Sequence, residues 1–196
     1  MFYRLGVEFL AIYILPVVLI LFGVLPFEYR FVYLVTICSG TIFLANAKNY
    51  SIESLGMSVK NIRLGIKYNL YLSLVFLIFF LICWQLGMIG REFIPQHIGF
   101  YLFYVFISCP LQEFTYRSYL FRLLDDFGVR KSIWRVLFNS FAFCFLHAIY
   151  EDSLTLVFTF AIGVVWASIY QRTRSVYGVC LSHIVFGTIS IAAGLV

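Results

Sequence analysis

The sequence predicts an all-α protein, a polytopic transmembrane helical bundle of about seven spans. Three observations carry this. The chain of 196 residues is 63% hydrophobic and 12% charged, against roughly 25% charged in soluble domains. Its mean hydropathy is +0.97, with 23 Phe and 14 Tyr, more apolar surface than a water-soluble body of this size can hide. Its apolar residues also fall into runs near the ~20 residues that a helix needs to cross a bilayer.

The spans run in order along the chain. The first is predicted over about residues 7–27, with Pro16 tolerated as a kink. Glu28-Tyr29-Arg30 makes a short turn into the second, about 31–45. In the next connection, Ile52, Leu55, Val59, Ile62 and Ile66 recur at helical spacing, with Lys60, Arg63 and Lys67 between them. That pattern predicts an amphipathic helix on the membrane surface before span three; a solvated linker is the alternative. Span three is expected at about 68–86, then a crossing loop over 87–97, and span four at about 99–120. A charged loop over 122–135 precedes spans five (136–150) and six (154–170), which form a hairpin through Glu151-Asp152-Ser153. Span seven occupies 176–196. The chain reads as a single membrane-embedded domain, 1–196, with a motif-bearing core over about 99–196.

Charge orients the bundle. An N-inside, C-outside topology puts eleven of the fourteen Lys and Arg residues in the cytoplasm, leaving Arg30 and Arg91 outside and Arg117 within a span. Positive residues favour the cytoplasmic side in this way. The expectation is a multi-pass protein of the bacterial inner membrane. The +5 net charge is scattered between apolar runs, so it predicts no nucleic-acid partner. Cys38, Cys83, Cys109, Cys144 and Cys180 each lie inside an apolar run, without the spacing of disulfides or metal sites. No Gly-rich phosphate loop appears either, and no cofactor or metal is expected.

Four ionisable side chains remain at membrane depth: Glu113 and Arg117 on span four, His147 on span five and His183 on span seven. Such groups are costly in lipid and mark functional sites or interior pairs. Glu113 and Arg117 are four residues apart, on one helical face. Counting from the nearest basic residue at about 1.5 Å per residue places Glu113, His147 and His183 at depths of roughly 13, 18 and 13 Å, close to one level. A carboxylate and two imidazoles so placed suit water activation and oxyanion stabilisation. They equally suit a structural ion pair with interhelical hydrogen bonds. A zinc site is chemically conceivable from the same three residues, but the paired His-Glu-x-x-His motif is absent. Neither Gly-x-Ser-x-Gly nor a Ser–Lys arrangement for a serine hydrolase is present.

These residues stand in a recognisable order. Gln112-Glu113-Phe114-Thr115-Tyr116-Arg117 resembles the Glu-Glu-x-x-x-Arg motif of the CAAX-protease and bacteriocin-processing (CPBP, or Abi) intramembrane proteases. Phe143-Cys144-Phe145-Leu146-His147 matches their Phe-x-x-x-His, and His183-Ile184-Val185-Phe186-Gly187 follows their His-x-x-x-Asn/Asp up to its last residue. Arg117-Ser118-Tyr119-Leu120-Phe121 and Ser54-Leu55-Gly56-Met57 are also similar, so the resemblance covers about residues 51–187.

It implies an intramembrane endopeptidase whose glutamate-activated water hydrolyses a membrane-associated peptide or protein, with the lipid bilayer as its other partner. Carried onto this chain, Glu113 activates water, His147 and His183 support the transition state, Arg117 fixes Glu113, and Gln112 bonds water or substrate backbone. Two positions depart from the pattern. Gln112 stands where the family has its usual general base, and Gly187 where it has a polar donor. Adjacent helical positions point about 100° apart, so Glu113 takes over only if the helix is turned or kinked near Pro110. The competing expectation is an impaired relative acting as a bacteriocin-immunity or partner-binding membrane protein. A proton-relay transporter is disfavoured by the lack of repeats and of broken helix pairs.

Overall fold

A computed structural model describes residues 2–88 and 96–194, which contain helices and no strand. Seven helical runs succeed one another: α1 (Tyr3–Leu21), α2 (Phe27–Ala47), α3 (Val59–Gln85), α4 (98–126), α5 (Ser132–Tyr150), α6 (Ser153–Thr173) and α7 (Val176–Ala192). Five of them, α1, α2, α3, α5 and α6, are long and apolar enough to cross a membrane. α7 is apolar but shorter. The chain is an all-α polytopic membrane protein, with helical runs where the hydropathy places spans. Of the predicted crossing loop, residues 89–95 lie outside the described residues.

The surface helix predicted before span three does not form. Ser51–Met57 is a chain of turns, and a short 3-10 turn over Val59–Asn61 leads directly into the long helix of α3. Tertiary contacts override the helical spacing. Gly56 adopts φ +65°, which favours glycine, and a side chain there would collide with the Tyr170 ring. The Tyr170 hydroxyl donates to the Leu55 carbonyl at 2.9 Å, and the Val176 amide donates to the Gly56 carbonyl at 3.0 Å. Leu55 is thereby drawn into the core and not laid on a headgroup layer.

Two of the runs contain wide turns with an identifiable cause. Pro110 has no N–H for the carbonyl four residues back, and its ring crowds that carbonyl. The turn ahead of it opens to π geometry over Tyr104–Ser108. Pro16 has the same effect over Leu10–Ile14 in α1. A second π turn in α4, Phe114–Tyr119, has no proline behind it.

α4 is the axis of the bundle. Tyr13 of α1 donates to the Thr115 carbonyl at 2.8 Å. Thr41 of α2 donates to the Cys38 carbonyl at 2.7 Å, which leaves its oxygen to accept from the Thr115 hydroxyl at 3.0 Å. Phe121 packs on Tyr170 of α6 with ring centroids 4.9 Å apart. Around this axis, α3 and α7 approach through small residues. A methyl group on Gly178 would run into the Gly65 backbone and Asn69, the close packing that small residues permit in membranes. Asn69 donates to the Gly65 carbonyl at 2.9 Å and accepts from Ser182 at 2.7 Å. These bonds fix the rotation of α7 one residue before His183. The outer face of α3 exposes Leu70, Leu74, Val75, Ile78, Phe79 and Ile82, a surface suited to lipid.

The polar ends are tied differently. Asp125 pairs with Arg135 at 2.7 Å and Arg174 at 3.3 Å, and Asp126 with Arg122 at 2.6 Å. Glu8 pairs with Lys48 at 2.6 Å and also accepts from the Tyr119 hydroxyl. At the opposite end, Asp152 caps α6 by accepting from the Thr155 amide at 2.7 Å.

Candidate active site

The proline-driven π turn sets which residue of α4 faces α7. A π turn closes its hydrogen bond one residue later than an α turn. Counted from Ile98, Glu113 therefore takes the angular position that residue 112 would hold on a uniform α-helix. Glu113 is fully buried there. Its Oε1 accepts from Nδ1 of His183 at 2.7 Å, and its Oε2 lies 3.4 Å from Nε of Arg117. Gln112 is turned back along its own helix, and its Nε2 donates to the Ser108 hydroxyl at 3.0 Å.

Arg117 is fully buried as well and is held from three sides. Its Nη1 donates to Oδ1 of Asn139 at 2.5 Å. Asn139 is oriented for this because its own amide donates to the Tyr116 carbonyl. The guanidinium lies 4.6 Å from the Phe143 ring centroid and 5.8 Å from that of Trp166, within cation–π range. The remaining polar atoms, Arg117 Nε and Nη2 and Glu113 Oε2, are buried without a hydrogen bond among the described residues. Two charges at this depth are thus joined to each other but not saturated.

The two histidines occupy different situations. His183 sits in an aromatic frame: Trp166 at 4.8 Å, Phe143 at 5.5 Å edge-on and Tyr104 at 6.2 Å edge-on. With Nδ1 given to Glu113, its Nε2 is the nitrogen free for chemistry. His147 lies where α5 tightens into a 3-10 turn. Its Nδ1 donates to the Phe143 carbonyl at 2.9 Å, since a carbonyl only accepts, and its neutral ring then carries a bare Nε2. Phe143 packs against both rings, 4.9 Å from His147 and 5.5 Å from His183.

Of the five residues singled out in the sequence, Glu113, Arg117 and His183 are in direct contact. His147 packs on Phe143, which also faces His183, and Gln112 is bonded elsewhere. Among the described residues no three His, Cys, Asp or Glu side chains converge as a metal would require. Sequence reasoning missed Asn139, Trp166 and Tyr104. Asn139 had a signal: 139, 143 and 147 are spaced by four and share one stripe of α5. Trp166 and Tyr104 had none beyond their aromatic character.

What this arrangement offers is a buried carboxylate held by a guanidinium and bonded to an imidazole whose far nitrogen is open. Aspartate, imidazole and nucleophile are related in this way in hydrolases of several unrelated folds.

Comparison with known proteins adds one finding. Residues 94–189 match the family described as type II CAAX prenyl endopeptidase, Rce1-like. No curated protein and no solved structure matches the chain. The matched segment contains Glu113, His147 and His183 in family order. Through residues 94–189 the protein belongs to the CPBP family of CAAX-type membrane proteases.

Proposed function

We propose that the protein is an intramembrane endopeptidase in which Glu113, acting through His183, activates the water that cleaves a membrane-associated peptide. One observation carries this reading: the 2.7 Å contact between Glu113 Oε1 and His183 Nδ1, with Arg117 beside the same carboxylate. Glu113 is wholly buried, whereas the His183 side chain keeps 6% of its surface exposed. In this reading water meets the pair through His183. Nε2 of His183 takes a proton as the water oxygen bonds to the scissile carbonyl carbon. The Glu113 carboxylate stabilises the imidazolium, and the proton is returned to the departing amine as the C–N bond breaks. His147, whose open nitrogen accepts a hydrogen bond, orients the water. This assigns Glu113 as charge partner and His183 as the group that touches water, a change from the direct glutamate base suggested by the motif alone.

The substrate class is a peptide whose carboxyl-terminal segment is anchored in the bilayer, for which a farnesylated peptide ending in Cys-aliphatic-aliphatic-X is the probe. Wild type, Glu113→Gln and His183→Ala, reconstituted in lipid vesicles, are compared for release of the terminal tripeptide and for membrane abundance. Cleavage should fall by at least about 10³-fold in both variants, the scale seen when members of a catalytic triad are removed. Full cleavage by Glu113→Gln overturns the mechanism. Loss of the folded protein without loss of specific activity identifies Glu113–Arg117 as a structural ion pair, the arrangement expected of an immunity or partner-binding protein.

A further inference from the structure

Peptide hydrolysis at this site builds negative charge on the carbonyl oxygen of the substrate, and a donor must meet it. His183 is committed as proton acceptor, and the hydrogen-bond pattern of His147 leaves it an acceptor too. Arg117 has free N–H groups, but it is wholly buried behind Phe143 and Trp166. At position 187, one turn beyond His183 on the same face of α7, the residue is glycine and has no side chain to offer.

The space above Gly187 is nonetheless filled. A methyl group built there would lie 2.5 Å from Cζ of Tyr104 and closer still to the phenolic oxygen. The Tyr104 hydroxyl therefore stands where a polar side chain at 187 would begin. Positions four apart on a helix are about 6 Å apart at Cβ, so the hydroxyl is one helical turn from His183. The Tyr104 ring packs edge-on to His183 at 6.2 Å, 7% exposed. Among the described residues the hydroxyl makes no hydrogen bond. The placement comes from the backbone, because Tyr104 opens the π turn that Pro110 induces. The same turn sets the face of Glu113. One local distortion aims both the charge partner of the base and the phenol at α7.

We infer that Tyr104 is the oxyanion donor of this protease, its hydroxyl occupying the site over Gly187 and donating to the carbonyl oxygen of the tetrahedral intermediate. The inference rests on the proteolytic reading of Glu113 and His183. It also explains why position 187 is glycine, since any larger residue would displace the phenol. Charge balance is simple: the donor gives a hydrogen bond, not its proton, and retains the O–H when the carbonyl reforms.

The test uses the full chain in lipid vesicles with the farnesylated Cys-aliphatic-aliphatic-X peptide and a phosphinate analogue that mimics its tetrahedral intermediate. Tyr104→Phe keeps the ring and removes only the hydroxyl. Loss of one oxyanion donor lowers kcat by about 10²–10³-fold, so that fall is expected with KM little changed and membrane abundance equal to wild type. Affinity for the phosphinate should weaken, while affinity for the substrate does not. A second variant pair guards against trivial packing loss: Tyr104→Ala should be impaired, and adding Gly187→Asn to it should recover at least about tenfold by restoring a donor from α7. If Tyr104→Phe cleaves like wild type while Glu113→Gln is inactive, Tyr104 is not the donor and the proteolytic reading stands. If Glu113→Gln cleaves like wild type, that reading itself fails and takes the donor role with it. Equal loss of substrate and phosphinate affinity in Tyr104→Phe overturns the inference in favour of a packing role.

Discussion

The bundle holds two acid–base clusters of similar composition and opposite character. At one end, Asp125, Arg135 and Arg174 form an ion network at 2.7 and 3.3 Å whose side chains keep 14–34% of their surface exposed. Inside the bundle, Glu113, Arg117 and His183 form another at 3.4 and 2.7 Å, and the carboxylate and guanidinium have no exposure at all. In the first, the side chains are partly exposed, and pairs that solvent reaches are worth about 0–1 kcal/mol each. In the second, desolvation rivals the attraction between the charges, so a buried pair is poor evidence of stability. The outer cluster ties helix ends together, and the inner one keeps reactive groups in a fixed relation. That difference makes the inner cluster the catalytic candidate.

Substitutions that break the comparison should do so unequally. Arg117→Met leaves Glu113 charged and buried without its cation and should lower the unfolding free energy by about 3–5 kcal/mol, read from denaturant titration in mixed micelles. Next comes Asn139→Leu, which strands the Arg117 guanidinium without its acceptor at a loss of about 1–3 kcal/mol, seen in the same titration. The double variant Arg117→Met with Glu113→Gln sharpens the point. Removing both charges should bring stability back to within about 1 kcal/mol of wild type while cleavage stays abolished. Smallest of all, Asp125→Asn should lower stability by at most about 1 kcal/mol, and thermal melts in high salt should shrink even that difference.

Hydropathy made the seven helical runs legible, because the bilayer sets their length and little else in the chain competes with that signal. The site was legible in part. Glu113, Arg117 and His183 could be found because charge in an apolar run is conspicuous. Counting residues along straight helices gives their depth but not their angle, so it could not show that His183 bonds Glu113 while His147 bonds the Phe143 carbonyl. The loop at 51–57 misleads for a related reason. Its helical spacing is real, but Tyr170 and Val176, more than a hundred residues away, claim the Leu55 and Gly56 carbonyls. Tyr104 and Trp166 were invisible because nothing local distinguishes an aromatic ring that faces the site from the many that face lipid.

The wide turn over Tyr104–Ser108 has a consequence for insertions and deletions in α4. A π turn carries one residue more than the α turn it replaces, so it is a place where the span can lose a residue without rotating the helix beyond it. Deleting one residue there closes the wide turn to an α turn kinked at Pro110 and leaves Glu113 against α7. Deleting one between Pro110 and Glu113 instead rotates the rest of the helix by about 100° and carries Arg117 off its face. Within one helical run, neighbouring stretches thus differ sharply in their tolerance of a changed length.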